Sequence, residues 1–293
     1  MARNCALFLN LPENFDPATL DAALESVPLK PLGGLEMATS GFGSPYAPEG
    51  TALTQRVGHH IGGILLSESR VLPAAAVRSA ADKVAEEEAQ RTGEPVGRKR
   101  KKQIKEEVEL QMIPKAFIVA GGLMLTINTR DGWITANSAG EKAAQSLIER
   151  LREGLGSFAV TPAFSGDLRS VMTKWMRGEA VPDGVQIGDS ADLEDSGGAK
   201  IKVSGLELSD PSILEHLDNG FQCTRIDLAI DGKVTLSLSD DFSVKKIKPT
   251  DSYGNESAGE MEEQQAYLDS EFLYESGMLD IVHGFLKGIK TGD

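Results

Sequence analysis

The sequence predicts an α+β fold, antiparallel sheets with helices, because strand-like and helix-like stretches come in blocks and do not alternate. Two turn dipeptides carry this expectation. Asp131-Gly132 and Asp231-Gly232 each lie between β-prone runs, the pattern of hairpin turns. A third observation is the alanine- and charge-rich stretch from Pro73 to Arg91, free of internal proline and glycine. It reads as a helix with proline near its first turn.

The first 60 residues carry six prolines and a Gly41-Phe42-Gly43 patch, which reads as a strand, a short helix between Pro17 and Val27, and loops. Thr92-Gly93-Glu94-Pro95 stops the alanine-rich helix. A second helix starts near Arg98 and ends at Ile113, since the residue before Pro114 is pushed out of the helical region. Residues 123–128 and 133–137 form the first expected hairpin. Ser138-Ala139-Gly140-Glu141 reads as a capping box ahead of Ala143, Ala144, Leu147, Ile148 and Leu151, an apolar helical face that ends at Gly154. This helix should pack on the hairpin. Residues 179–198 are acidic and glycine-rich and read as a loop or arm. Asp210-Pro211 opens a short helix that Gly220 closes. Residues 223–230, 233–239 and 242–248 form a three-strand meander, and the chain from Glu260 onward reads as helical. Four blocks result: 1–72 with strand, helix and loops; 73–178 with the basic helices, hairpin and capped helix; 179–220 as an acidic arm or tip; and 221–293 with the meander and C-terminal helices.

At 293 residues, with 40% hydrophobic and 25% charged residues, the chain can bury a sizeable core, and general disorder is not expected. The longest apolar runs, such as residues 118–125, fall far short of the roughly 20 residues needed to cross a bilayer. The N-terminus lacks the pattern of a secretory signal, so a cytoplasmic location and no membrane partner are expected. Cys5 and Cys223 need no disulfide framework and read as inert, buried thiols.

The formal charge of −14 argues at first sight against a nucleic-acid partner. Its distribution argues otherwise. Residues 61–178 hold 18 Lys and Arg against 14 Asp and Glu, whereas residues 179–220 and 251–293 together hold 4 against 20. Screening confines each patch to roughly 8–10 Å at physiological salt, so a local basic surface can still bind phosphate.

The strongest local signal is Arg98-Lys99-Arg100-Lys101-Lys102-Gln103-Ile104-Lys105, six basic residues in eight. On a helix Arg98, Lys101, Lys102 and Lys105 share one face, with Ile104 and Val108 beside it to pack inward. Such a face can neutralise phosphates without reading bases. Its bland alternative is a solvated helix face. Arg70, Arg78, Lys115 and Arg225 are scattered cations that read singly as ordinary surface charge. Phe117 is by default a core residue, with an interface anchor as the alternative.

Enzyme signatures are weak. His59, His60, His216 and His283 have no Cys or acidic partner at zinc-ligand spacing, so neither a metal nor another cofactor is expected. Gly41-Phe42-Gly43 lacks the setting of a dinucleotide loop, and there is no P-loop or nucleophile elbow. Asp189, Asp192, Glu194 and Asp195 could be imagined as the magnesium ligands of a nuclease, although their glycine- and serine-rich setting favours a solvated loop. An acidic protein-interaction module or DNA mimic is a further alternative.

Lys105-Glu106-Glu107-Val108 and Ile113-Pro114-Lys115-Ala116-Phe117 resemble the KxEV and LPRAF signature of the RdgC family. Leu155-Gly156-Ser157, Thr173-Lys174-Trp175, Arg70-Val71-Leu72-Pro73, His216 with Gly220, and Thr224-Arg225-Ile226 continue the resemblance in order over nearly the whole chain. It implies an extended, multi-part protomer in a ring-shaped homodimer around double-stranded DNA. Binding without sequence preference, restraint of RecA-driven recombination, nucleoid association and no catalytic step follow from it. By the same resemblance Lys115 and Arg225, with Arg70, Arg78 and the basic helix, would line the hole, and Phe117 would close the ring. Lys202-Val203-Ser204-Gly205-Leu206 departs from the family's basic tip KKQDL, and Phe221 stands where relatives carry lysine.

Overall fold

The computed structural model describes residues 5–45, 52–253 and 264–289. In chain order the elements are β1 (Leu9–Asn10), α1 (Leu20–Ser26), β2 (Ala38–Gly43), β3 (Thr54–Val57), β4 (His60–Val71), α2 (Ala74–Thr92), α3 (Arg98–Met112), β5 (Phe117–Asn128), β6 (Trp133–Ala136), α4 (Glu141–Leu155), β7 (Thr161–Pro162), α5 (Leu168–Met176), β8 (Val185–Glu194), β9 (Lys200–Ser204), α6 (Pro211–Asp218), β10 (Gln222–Ile230), β11 (Val234–Ser239), β12 (Val244–Pro249) and α7 (Gln264–Gly288). Single-turn 3-10 segments at Pro17–Thr19 and Ile113–Lys115 lead into α1 and out of α3. The class is α+β, and the pairs β1·β6, β1·β7, β3·β4, β5·β6, β8·β9, β8·β10, β10·β11 and β11·β12 are antiparallel.

Two compact units emerge, one of Met1–Ser26, Ser44–Ile64 and Leu123–Asp293, the other of Val27–Gly43 and Leu65–Gly122. Residues 60–64 of β4 and 123–128 of β5 belong to the larger unit, and the rest of both strands to the smaller.

The larger unit is built on an antiparallel sheet ordered β12-β11-β10-β8-β9. The expected meander is there as β10, β11 and β12, and its first turn places Asp231 and Gly232 at φ 53° and 63°, the left-handed geometry that Asp-Gly tolerates. Within the acidic stretch expected to be a loop or arm, Val185–Glu194 forms β8, the strand between β10 and β9. Its apolar residues Val185, Ile187, Ala191 and Leu193 lie on one side. A bulge shifts the register from Ile226↔Ala191 to Leu228↔Ile187, and Asp189 interrupts the apolar alternation at that point. Glu194 of this strand and Asp195 just after it have partners: Lys200 lies 3.5 Å from Glu194, and Asp195 accepts from the backbone N–H groups of Gly197 and Ala199. Helices α5 and α7 close the core with Trp175, Met172, Val282 and Leu286 against Ile226, Leu228 and Leu236. Full burial of each such side chain contributes about 1.5–3 kcal/mol.

In the same unit the Asp131-Gly132 hairpin forms as expected. Asn128 Oδ1 accepts from the N–H groups of Arg130 and Asp131, and Leu125↔Ala136 sets the register. Strand β6 also pairs with β1, at Leu9↔Ile134. Phe8 meets Trp133 edge-on at 5.2 Å. The expected capping box does not form: Gly140 is the N-cap and has no side chain to offer, while Ser138 Oγ accepts from the Gly140 N–H. Helix α4 packs on β6, as expected, and also on α1. There Gly154 is required, since a Cβ at that position would lie 2.3 Å from the Ala23 carbonyl oxygen.

The smaller unit holds β2, residues 65–71 of β4, the α2–α3 pair and residues 117–122 of β5. Helix α2 ends at Gly93, whose φ of 73° lets its N–H reach Ala89 O at 2.9 Å, a left-handed stop that other residues adopt only with strain. Ala81 and Ala85 of α2 face Ile104 and Val108 of α3. The small alanines allow a close approach, and the two branched residues fill the seam.

Candidate nucleic-acid interface

Helix α3 begins at Arg98 and puts four cations, Arg98 to Lys101, in its first turn, with no acid among them. This runs against electrostatics within the helix, because the N-terminal end already carries about half a positive charge and favours acids there by roughly 0.3–1 kcal/mol each. The cap is Gly97, whose missing side chain leaves the first N–H groups without a side-chain acceptor. The arrangement is destabilising for the isolated helix and favourable for an anion placed against it.

The cations divide into two groups. Arg100 is consumed internally: its Nε and Nη2 donate to Glu88 of α2 at 2.9 Å, and Nη1 donates to Glu107 at 2.8 Å. The hydrogen bond to Glu88 holds the Arg100 guanidinium above its ordinary pKa, and the same bond holds the Glu88 carboxyl below its own. Arg98, Lys99, Lys101 and Lys105 are exposed, and among the described residues no carboxylate makes an ion pair with them. Lys102 lies a loose 3.8 Å from Glu106, worth at most a few tenths of a kcal/mol in solvent. The i, i+3, i+4, i+7 face of Arg98, Lys101, Lys102 and Lys105 therefore points to solvent, while Ile104 is fully buried.

Lys115 is exposed in the turn after α3, and Arg78 is exposed on α2. Arg70 is half-buried and donates to the carbonyls of Gly33, Glu36 and Pro114, tying β4 to the chain on either side. Phe117 corrects the burial default: it is 86% exposed, followed by the exposed Ile118 and Val119.

Arg225 lies in the other unit and is fully engaged. It pairs with Asp192 at 3.0 Å and with Asp227, and its Nη2 donates to Ser190 Oγ at 3.0 Å. Two carboxylates offset its charge, which separates it from the exposed cations of α3. The same contacts take up Asp192, one of the four acids considered as magnesium ligands.

Two thiols differ from each other. Cys223 is buried, and burial pushes its pKa up to about 12. Cys5 is only half-buried, against the expectation that both are buried. Spacing along the sequence also missed one constellation: His59 and His60 stand beside Asp280 of α7, a partner more than 200 positions away that no local motif could reveal.

Fold and site together define an α+β protein of antiparallel sheets carrying a cationic helical hairpin. A family model described as "Putative exonuclease, RdgC" matches residues 2–287. The chain is 32% identical over 250 residues to the "Recombination-associated protein RdgC" of Xylella fastidiosa (strain 9a5c), covering 84% of this chain and 82% of that protein. It is 30% identical to the protein of the same name from Xanthomonas axonopodis pv. citri (strain 306), again over 250 residues, 84% of this chain and 83% of the relative. The chain belongs to the RdgC family.

Proposed function

We propose that this protein binds double-stranded DNA without reading its sequence, as a ring-shaped homodimer, and thereby restrains RecA-mediated recombination. The observation that carries the reading is the first turn and outer face of α3. Four exposed cations without an ion-pair partner among the described residues and an uncapped helix N-terminus meet there, and a phosphate backbone would relieve the charge conflict that the free protein tolerates. Lys115 and Arg78 extend the supply of positive charge, and Arg70 adds to it from a fixed position. Cationic side chains of this kind contact phosphates and position a duplex, and they carry no base information by themselves.

The homodimer is supported by residues 117–119. Phe117, Ile118 and Val119 leave an apolar patch in solvent, and exposed aromatic anchors of this kind are typical of interface centres. Restraint of RecA follows as occlusion of the duplex and needs no catalytic step. In the nuclease alternative the acids of β8 would hold magnesium, but Asp192 and Glu194 are already paired with Arg225 and Lys200.

Retention on DNA tests the closed ring. After loading at low salt and a high-salt challenge, a closed ring stays on a covalently closed circle and slides from a linear duplex of the same sequence. Equal loss from both substrates would overturn encirclement. Incubation of duplex with the protein and magnesium should leave the DNA intact.

A further inference from the structure

We propose that His59, His60 and Asp280 form a binding site for one divalent cation of the zinc class, with two imidazole nitrogens and one carboxylate oxygen as ligands and a fourth position open to water. Gly58, at φ 60°, and His59 make the turn between β3 and β4, where Val57 pairs with His60. In an extended strand neighbouring side chains point to opposite faces. The turn removes that alternation, and the two rings lie with their centroids 4.1 Å apart.

Asp280 reaches this pair from α7. Its Oδ2 is 2.9 Å from His60 Nε2 and 3.7 Å from His59 Nε2, and the three ligand atoms all lie within 4.8 Å of one another. With zinc–nitrogen and zinc–oxygen bonds of about 2.0–2.1 Å, the edges of a tetrahedral site are about 3.3 Å, which the two measured distances bracket.

The state of His60 points to a ligand. Its side chain is 2% exposed, and among the described residues neither ring nitrogen has a hydrogen-bond partner, nor has His59 Nε2. The Nε2 atom sits at hydrogen-bond distance from Asp280 without hydrogen-bond alignment. Buried imidazole nitrogens are ordinarily satisfied, and a cation between the three groups would take up one nitrogen of each ring.

The carboxylate is braced for this role. Asp280 Oδ1 accepts from Asn128 Nδ2 at 2.7 Å, which leaves Oδ2 turned to the histidines, and Asn128 Nδ2 also lies 3.1 Å from Asp131 Oδ2. Outer partners of this kind orient metal ligands. Two nitrogens and one oxygen suit zinc, whereas calcium takes six to eight oxygens and magnesium keeps an octahedral, largely hydrated shell. Bound there, the ion would tie the β3–β4 turn to α7.

The test uses the untagged full chain, stripped with a chelator, titrated with Zn2+ by calorimetry and with Co2+ by visible absorption. One ion per chain is expected, with the intense absorption of four-coordinate Co2+ that Zn2+ displaces. His60→Ala and Asp280→Asn should each weaken binding at least tenfold, and His59→Gln, at a more exposed position, provides the same reading should His60→Ala fail to fold. His216→Ala should bind as the parent does. Absence of stoichiometric binding, or unchanged affinity in folded Asp280→Asn and His59→Gln, would overturn the site.

Discussion

Arg225 and Asp192 face each other across β10 and β8 in a two-pronged pair: Nε donates to Oδ2 at 3.0 Å and Nη2 to Oδ1 at 3.1 Å. Planar, bidentate geometry makes such pairs stronger than single-point contacts. The guanidinium hydrogen bonds hold the Asp192 carboxyl below its ordinary pKa, against the opposing effect of burial. Asp192→Asn should lower unfolding stability by about 1–2 kcal/mol in urea titrations near neutral pH. Because the folded-state pKa lies below the unfolded value, the contribution is fully present above about pH 4 and fades as pH falls through the folded-state value. The variant's deficit should therefore shrink in acid.

Helix α3 is held to α2 by a narrow seam, and Ile104 is its most buried member. Ile104→Ala should destabilise the helical pair by about 2–4 kcal/mol. Hydrogen exchange should quicken across residues 74–112 and change little in β10 and β11.

The α2–α3 hairpin and its faces were legible in the sequence, because 3.6-residue periodicity, Gly93 and Pro114 are local signals. So were the Asp131-Gly132 and Asp231-Gly232 hairpins. Strand β8 was not: Gly184, Gly188 and three acids mask its apolar side, and Asp189 interrupts the two-residue alternation of Val185, Ile187, Ala191 and Leu193. The basic run could be read, but the division between Arg100, taken up by Glu88 and Glu107, and the solvent-facing cations depends on a neighbouring helix. Asp280 beside His60 depends on tertiary contact alone, and the exposure of Phe117 runs against its residue type.

The thiols should separate cleanly. Burial raises the Cys223 thiol to about 12, so almost none of it is the reactive thiolate at neutral pH. Labelling of the native protein should modify Cys5 alone, and a second equivalent should react only in denaturant. Two rapid equivalents in the native state would contradict the packing around Cys223.

Phe117 makes few contacts within its own chain, at 86% exposure. Phe117→Glu should change monomer stability by no more than about 0.5 kcal/mol while weakening self-association at least tenfold in sedimentation equilibrium. Unaltered association would remove this residue from the proposed dimer contact.

Duplex affinity as a function of salt, for the parent chain and for the Lys101→Glu, Lys102→Glu, Lys105→Glu triple variant, decides whether the α3 cations hold duplex DNA through its phosphates. The parent should bind two unrelated sequences equally, with affinity falling steeply as salt rises. The triple variant should lose most of its affinity, and its salt slope should be shallower by about three units, near 0.9 per lost phosphate contact. Salt-indifferent binding, preference for one sequence, or a triple variant that binds like the parent would contradict the account.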